Sequence, residues 1–166
     1  MPTATYIALA NITLSSNDNE IVFTSIPTTG YRDFVLVIDQ ILTGVAANKI
    51  VTLNDDTGNN YPWVYMGGNG SSAISGTNTS SSLLVEALAA GSTTERLLTI
   101  VNFMDASATD KHKTALVRNG RAGQGTDAIA SRWANTGAIT KISIGLNNVS
   151  AQFAIGSTFA LYGIVS

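Results

Sequence analysis

The chain has 166 residues and no cysteine, and 9 Lys and Arg against 11 Asp and Glu give it a formal net charge of −2. This length suits a single domain over residues 1–166. The charge balance excludes the basic field of a typical nucleic-acid-binding protein, and the missing thiols exclude disulfides and thiolate metal sites. Charged residues make up only 12% of the chain, against about 25% in typical domains. The surface therefore costs little to desolvate against other subunits.

Targeting signals are the next class that the sequence argues against. The N-terminal residues lack the basic and apolar regions of a signal peptide, and no apolar run approaches the ~18 residues of a membrane span. We therefore expect neither a signal peptide nor a membrane span. A cysteine-free chain of this kind fits assembly in a reducing cytoplasm.

The first part of the chain reads as short extended segments separated by turn residues. Residues 6–14 alternate imperfectly, and residues 21–26 are predicted to be their hairpin partner. Pro27 and Gly30 then mark a loop, because proline fixes φ and glycine permits a positive φ. Residues 34–38 are apolar on both alternating faces, which predicts a central strand covered on both sides.

A dense turn signal and a low-complexity stretch follow. Residues 54–60, NDDTGNN, predict a turn, and Pro62 places the aromatic strand after it at a sheet edge or a strand start. Residues 67–82 are polar and aperiodic, which predicts a long exposed loop that could face a partner. Residues 83–91 leave a helical turn and a strand open, because Leu, Glu and Ala favour a helix while the β-rich context favours a strand.

The remaining segments complete an all-β pattern. The pair Asn119-Gly120 predicts a tight turn, and the apolar residues 157–164 are predicted to pair with residues 34–38 in one sheet. Strands are expected at residues 6–14, 21–26, 34–42, 50–53, 61–66, 97–104, 113–117, 129–133, 138–146 and 157–164. Short strands at this spacing without a long helix predict an antiparallel β-sandwich, with a jelly roll as its leading form and at most a short helical turn. A closed barrel is the alternative.

The sequence offers little for catalysis. No Gly-x-Ser-x-Gly motif lies between a strand and a helix. His112, the only histidine, stands between two lysines in a predicted turn and is interpreted as a surface residue. Asp55 and Asp56 could serve a glycosidase or bind calcium, but their spacing does not match an EF-hand loop, so an Asx-rich turn is the favoured interpretation. We predict no enzyme activity, no metal site and no cofactor.

Five side chains are candidates for contacts with other molecules. Trp63, Tyr65 and Trp133 could form an aromatic platform for a sugar, although aromatic residues in short strands belong more often to a core or an interface. Arg118 and Arg121 flank the Asn-Gly pair and could reach acidic groups on a neighbouring subunit. A solvated turn is the more ordinary interpretation for both arginines.

Several motifs distributed over nearly the whole chain resemble those of one family. They are ITLSS at 12–16, FTSIP at 23–27, YRDF at 31–34, LNDDTGNNY at 53–61, AITKI at 138–142 and FAIGSTFALYGI at 153–164. Together they resemble the small β-sandwich virion proteins of tailed bacteriophages. The resemblance implies a structural component displayed on the particle surface, and it carries over no catalytic residue.

The resemblance also implies partners and a location. It implies a homo-oligomer, commonly a trimer, that contacts the major capsid protein or other virion proteins after assembly in the host cytoplasm. Two places fit: a head decoration or head-fibre protein, or a tail-fibre tip that recognises a host-surface glycan. A tail fibre normally needs a shaft or an anchoring domain, and few residues precede Tyr6, so we expect the head location.

Overall fold

Residues 4–88 and 90–165 are described in the computed structural model of the protein, and within them the chain forms fourteen strands and no helix. The strands are β1 Tyr6–Thr13, β2 Glu20–Phe23, β3 Tyr31–Gln40, β4 Leu42–Thr43, β5 Lys49–Leu53, β6 Tyr61–Gly68, β7 Ala73–Ser80, β8 Leu83–Leu84, β9 Leu97–Met104, β10 Lys113–Arg121, β11 Gly125–Trp133, β12 Ile142–Leu146, β13 Gln152–Phe153 and β14 Thr158–Val165. The strand pairs are antiparallel. The predicted antiparallel β-sandwich is confirmed.

The strands form two main sheets. An eight-stranded sheet has the order β1-β14-β3-β9-β10-β11-β6-β7, and a four-stranded sheet has the order β2-β12-β5-β8. Successive principal strands alternate between the two sheets, as in a jelly roll. The β6-β7 hairpin and the β9-β10-β11 meander widen the larger sheet beyond this framework.

The core lies between the two sheets. Phe34, Leu36 and Ile38 of β3 are fully buried on the inner side of the larger sheet, and they share one apolar cluster with Val51 and Ile144 of the smaller sheet. Burying a side chain of this size contributes roughly 1.5–3 kcal/mol. Because successive side chains of a strand point to opposite faces, the positions of the apolar residues determine which side of each strand enters the core.

The pairing of β3 with β14 confirms one long-range prediction, and Leu36 stands opposite Leu161 in that register. The predicted hairpin of residues 6–14 with residues 21–26 is wrong. β1 pairs with β14, whereas β2 pairs with β12 in the other sheet. Jelly-roll winding sends these sequence neighbours to opposite layers, which local alternation of side chains does not reveal.

The long loop predicted at residues 67–82 is also wrong. β6 continues to Gly68, and β7 returns beside it after a short turn. The Asn69 side-chain oxygen accepts hydrogen bonds from the backbone of Ser71 at 2.9 Å and Ser72 at 2.7 Å. A polar strand is stable here because β7 lies at the sheet edge, where its side chains need little burial.

The tight turn predicted at Asn119-Gly120 is wrong as well. Both residues lie inside β10, and Asn119 donates from its side chain to the backbone oxygen of Val85 at 2.8 Å. This buried tertiary contact outweighs the local turn preference of the pair. Residues 83–91 begin with β8 and contain no helix among their described residues, while Ala89 lies outside the described residues.

Two glycines allow a matched test of backbone strain. Gly30 and Gly44 both have positive φ, +83° and +85°, but a Cβ atom at Gly44 would overlap the backbone oxygen of Ser150, whereas Gly30 faces open space. We expect Gly30→Ala to cost about 1 kcal/mol and Gly44→Ala about 2 to 3 kcal/mol, since a steric clash is added. Urea unfolding of both variants checks this, and equal losses would contradict the role of Ser150.

Candidate interaction surface on the eight-stranded sheet

The side chains of the eight-stranded sheet that point away from the four-stranded sheet form a broad surface, which we call the outer face. One cross-strand row of this face crosses six strands without a charge. Its members are Tyr162, Val35, Asn102, Leu116, Ala130 and Val64.

The adjacent cross-strand row, two residues further along each strand, carries a single charge. It contains Ala160, Val37, Ile100, Arg118, Ala128 and Met66. Several of the large apolar side chains on the face are strongly exposed, with Met66 at 66%, Val64 at 51% and Leu116 at 46%. Six strands about 4.8 Å apart, with two rows that reach about 14 Å along the strands, give this part of the face roughly 400 Å². An exposed apolar patch of about 300–600 Å² is the largest on a typical monomer and is often functional.

The sequence of β3 explains why this face is apolar. Residues 34–38 are apolar on both sides of the strand, and the prediction was a strand covered on both sides. The inner side meets this prediction, since Phe34, Leu36 and Ile38 are buried against the smaller sheet. On the outer side Val35 is 7% exposed and Val37 is half-buried, and no further layer of described residues lies over them. β3 therefore has the composition of a strand between two layers, but only its inner side has a layer packed against it.

A shallow groove of about 460 Å³ lies in the middle of the outer face. Its lining includes Val64, Leu116, Ala130, Asn102 and Arg118. Among the described residues Arg118 forms no ion pair or side-chain hydrogen bond, whereas the nearby Arg96 donates to Asp39 at 2.9 Å. The groove thus combines apolar walls with one unpaired cation.

The three aromatic residues that were predicted to form one platform, Trp63, Tyr65 and Trp133, do not share an exposed surface. Trp133 is 1% exposed and donates from its indole to Asp56 at 2.7 Å, so its ring has no free face for a sugar. Trp63 and Tyr65 do lie together, with ring centroids 5.8 Å apart, and both are half-buried on the inner side of β6. The Trp63 indole donates to Ser80 at 3.2 Å.

The two predicted arginines differ in their surroundings. Arg118 projects from the outer face, where it is exposed. Arg121 instead pairs with Glu95 at 3.4 Å and donates to the side chain of Gln124 within its own chain. Only Arg118 keeps its guanidinium available to another molecule.

The turn predicted at residues 54–60 is confirmed, and Asp56 is its centre. The Asp56 carboxylate accepts hydrogen bonds from Asn60 at 2.9 Å, Trp133 at 2.7 Å and the backbone of Gly58 at 2.9 Å. These bonds, with the Asn60 side chain as the largest contributor, lower the pKa of Asp56 from 3.8 to about 2. Asp55 points away and pairs with Lys141 at 2.7 Å. In the described part of the chain no cluster of three or more His, Cys, Asp or Glu could hold a metal ion.

Sequence reasoning missed a buried ion pair. Lys49 and Glu86 are both fully buried, and the Lys49 ammonium donates to Glu86, which also accepts from the Lys49 backbone at 2.9 Å. Burial lowers the pKa of Lys49 well below its ordinary value, because the charged form loses its water. The signal was present in the alternation of β5, where Lys49 shares the inward side with Val51 and Leu53.

No protein-family model matches the chain, and no curated protein is significantly similar to it. Within the described residues, no helix has the length and apolarity to cross a membrane.

Proposed function

We propose that this chain is a non-enzymatic structural protein of a tailed-phage virion, and that it is a decoration or head-fibre protein on the capsid. In this role it assembles as a homo-oligomer, for which the sequence resemblance implies a trimer, and it contacts the major capsid protein or another virion protein. Its location is the particle surface, after assembly in the host cytoplasm.

The observation that carries this proposal is the outer face of the eight-stranded sheet. An apolar surface of this width with Arg118 as the only charge in its two central rows is suited to burial against protein. Jelly rolls occur in viral capsid domains and in lectins, and the fold alone does not choose between functions. The sequence resemblance and the outer face together favour the capsid.

The alternative is a tail-fibre tip that recognises a host-surface glycan. The half-buried pair Trp63 and Tyr65 favours it, since paired aromatic rings beside polar side chains suit sugars. The buried position of Trp133 removes the third member of that platform. The head location is therefore the preferred proposal.

A binding experiment with virions stripped of the protein tests the proposal. We expect the purified chain to rebind to heads, and Leu116→Asp to reduce its occupancy at least tenfold, because a carboxylate would be buried in an apolar contact without a partner. Cryo-electron microscopy of the decorated particles measures position and occupancy. Val22→Asp, at an exposed position on the smaller sheet, is the matched control.

Two outcomes would contradict the head assignment. Binding to tail tips or to host cells, with heads left bare, would favour the glycan-recognising alternative. Absence of binding to any part of the particle by a folded chain would overturn the virion role altogether.

A further inference from the structure

The outer face can be covered by a second copy of the same chain, and we propose that two copies pair through this face about a two-fold axis that runs along β9. The inference goes beyond the proposed function by naming what covers the outer face. It differs from the trimer that the sequence resemblance implies.

The size of the face favours a two-fold pair. An axis along β9 superposes the seven strands from β1 to β6 of one copy on those of the other, a width of about 29 Å. With a depth of about 20 Å, each copy buries roughly 600 Å², or roughly 1,200 Å² in total, which is at the lower end of stable interfaces. A three-fold ring would divide the same face between two neighbours and bury about half as much in each contact.

The arrangement of large and small side chains is self-complementary about this axis. The axis exchanges β14 with β11 and β3 with β10, since these strands lie two places and one place to either side of β9. Tyr162 then stands over the small Ala130 of the other copy, because both belong to the same cross-strand row. Asn102 of β9 lies on the axis and meets itself, and an amide can both donate to and accept from a second amide.

The charges are complementary in the same arrangement. Arg118 shares a cross-strand row with Val37, so the exchange of β10 with β3 places it over Val37 of the other copy. Asp39 is the next residue along that side of β3. Its Oδ1 accepts from Arg96, and no described residue donates to its Oδ2. Arg118, which is unpaired in the monomer, thus lies near Oδ2 of Asp39 in the other copy. The two-fold axis repeats this contact, so the dimer contains it twice.

The partner of the outer face is therefore a second copy of the chain. The same face carries both the apolar rows with Arg118 and the Asp39 carboxylate that Arg118 would contact. A different partner protein would need to supply an apolar surface and a carboxylate of its own. The pairing also gives β3 the second covered side that its sequence predicts.

Sedimentation velocity at micromolar concentration tests the stoichiometry. We expect a dimer for the natural sequence, and we expect Arg118→Asp or Asp39→Arg alone to weaken it about tenfold or more, since each places like charges together. The double variant Arg118→Asp with Asp39→Arg restores the opposite charges and is expected to restore the dimer. Lys111→Glu, in an exposed turn, is the matched control for a change of charge.

Cross-linking tests the position of the axis. The chain has no cysteine, so Asn102→Cys provides a single thiol, and a short bismaleimide is expected to link two copies efficiently because facing sheets lie about 10 Å apart. Val22→Cys on the smaller sheet is expected to give no linked product. A dimer linked through position 102 supports the pairing.

A monomer, a trimer, or a dimer that links equally through both positions would overturn the pairing. The outcome is separable from the proposed function. A monomer that still decorates heads would reject the pairing and leave the virion role intact, whereas a dimer that binds no particle would reject the virion role and leave the pairing intact.

Discussion

Replacing Lys49 with Met is expected to lower the free energy of unfolding by about 3 to 5 kcal/mol, the usual cost of leaving a buried charge without its partner. Glu86 is fully buried. Without the lysine side chain, its carboxylate would accept hydrogen bonds only from the backbone N–H of residue 49 and from the Gln40 side chain at 3.4 Å. Methionine preserves most of the side-chain volume, so packing contributes little to the loss. Urea unfolding followed by circular dichroism measures it.

The double variant Lys49→Met with Glu86→Gln is the control. Glutamine keeps an oxygen that can accept from the backbone at position 49 but removes the charge, so we expect it to recover at least about 2 kcal/mol of the loss. A double variant as unstable as the sum of the two single variants would show that the ion pair is not the source of the effect.

Replacing Asp56 with Ala is expected to cost about 3 to 4 kcal/mol. The carboxylate satisfies the indole of the buried Trp133 together with Asn60 and the backbone of Gly58, and charged hydrogen bonds are worth about 1.5–3 kcal/mol each. Asp55→Ala is the matched control, because its contact with Lys141 is an exposed ion pair worth less than about 1 kcal/mol. Thermal unfolding of both variants compares the two neighbours directly.

The same carboxylate predicts the pH dependence. Its pKa in the folded state, about 2, lies below the ordinary 3.8, so its contribution is present above about pH 4 and is lost as the pH falls through 2. We expect the difference between the natural sequence and Asp56→Ala to shrink over that range. A difference that stays constant down to pH 2 would contradict the assigned hydrogen bonds.

The fold class could be predicted from the sequence because the alternation of apolar and polar residues along a strand is a strong local signal. The two-sided apolarity of residues 34–38 predicted a central strand, and the equally apolar residues 157–164 were correctly predicted to pair with it. The errors came from interactions that local patterns do not contain. Asn119-Gly120 has a strong turn preference, but the contact of Asn119 with Val85 keeps the pair inside β10.

The candidate surface was predictable only in part. Arg118 was named as a residue that could reach a neighbouring subunit, but on the basis of a turn that does not exist. Its actual setting, beside Leu116 of its own strand and opposite Ala128 and Ile100 on the neighbouring strands, follows from the strand position and the pairing register. Register depends on which strands become neighbours, so the outer face emerges only from the folded sheet.

The position of β14 between β1 and β3 has a consequence for how the chain folds as it is made. β1 and β3 both precede β14 in the chain by a long interval, and neither can complete its pairing until β14 has been synthesised. Non-local pairing of this kind slows folding, and two open strand edges persist in the meantime. Self-association of the nascent chain at those edges therefore competes with native folding.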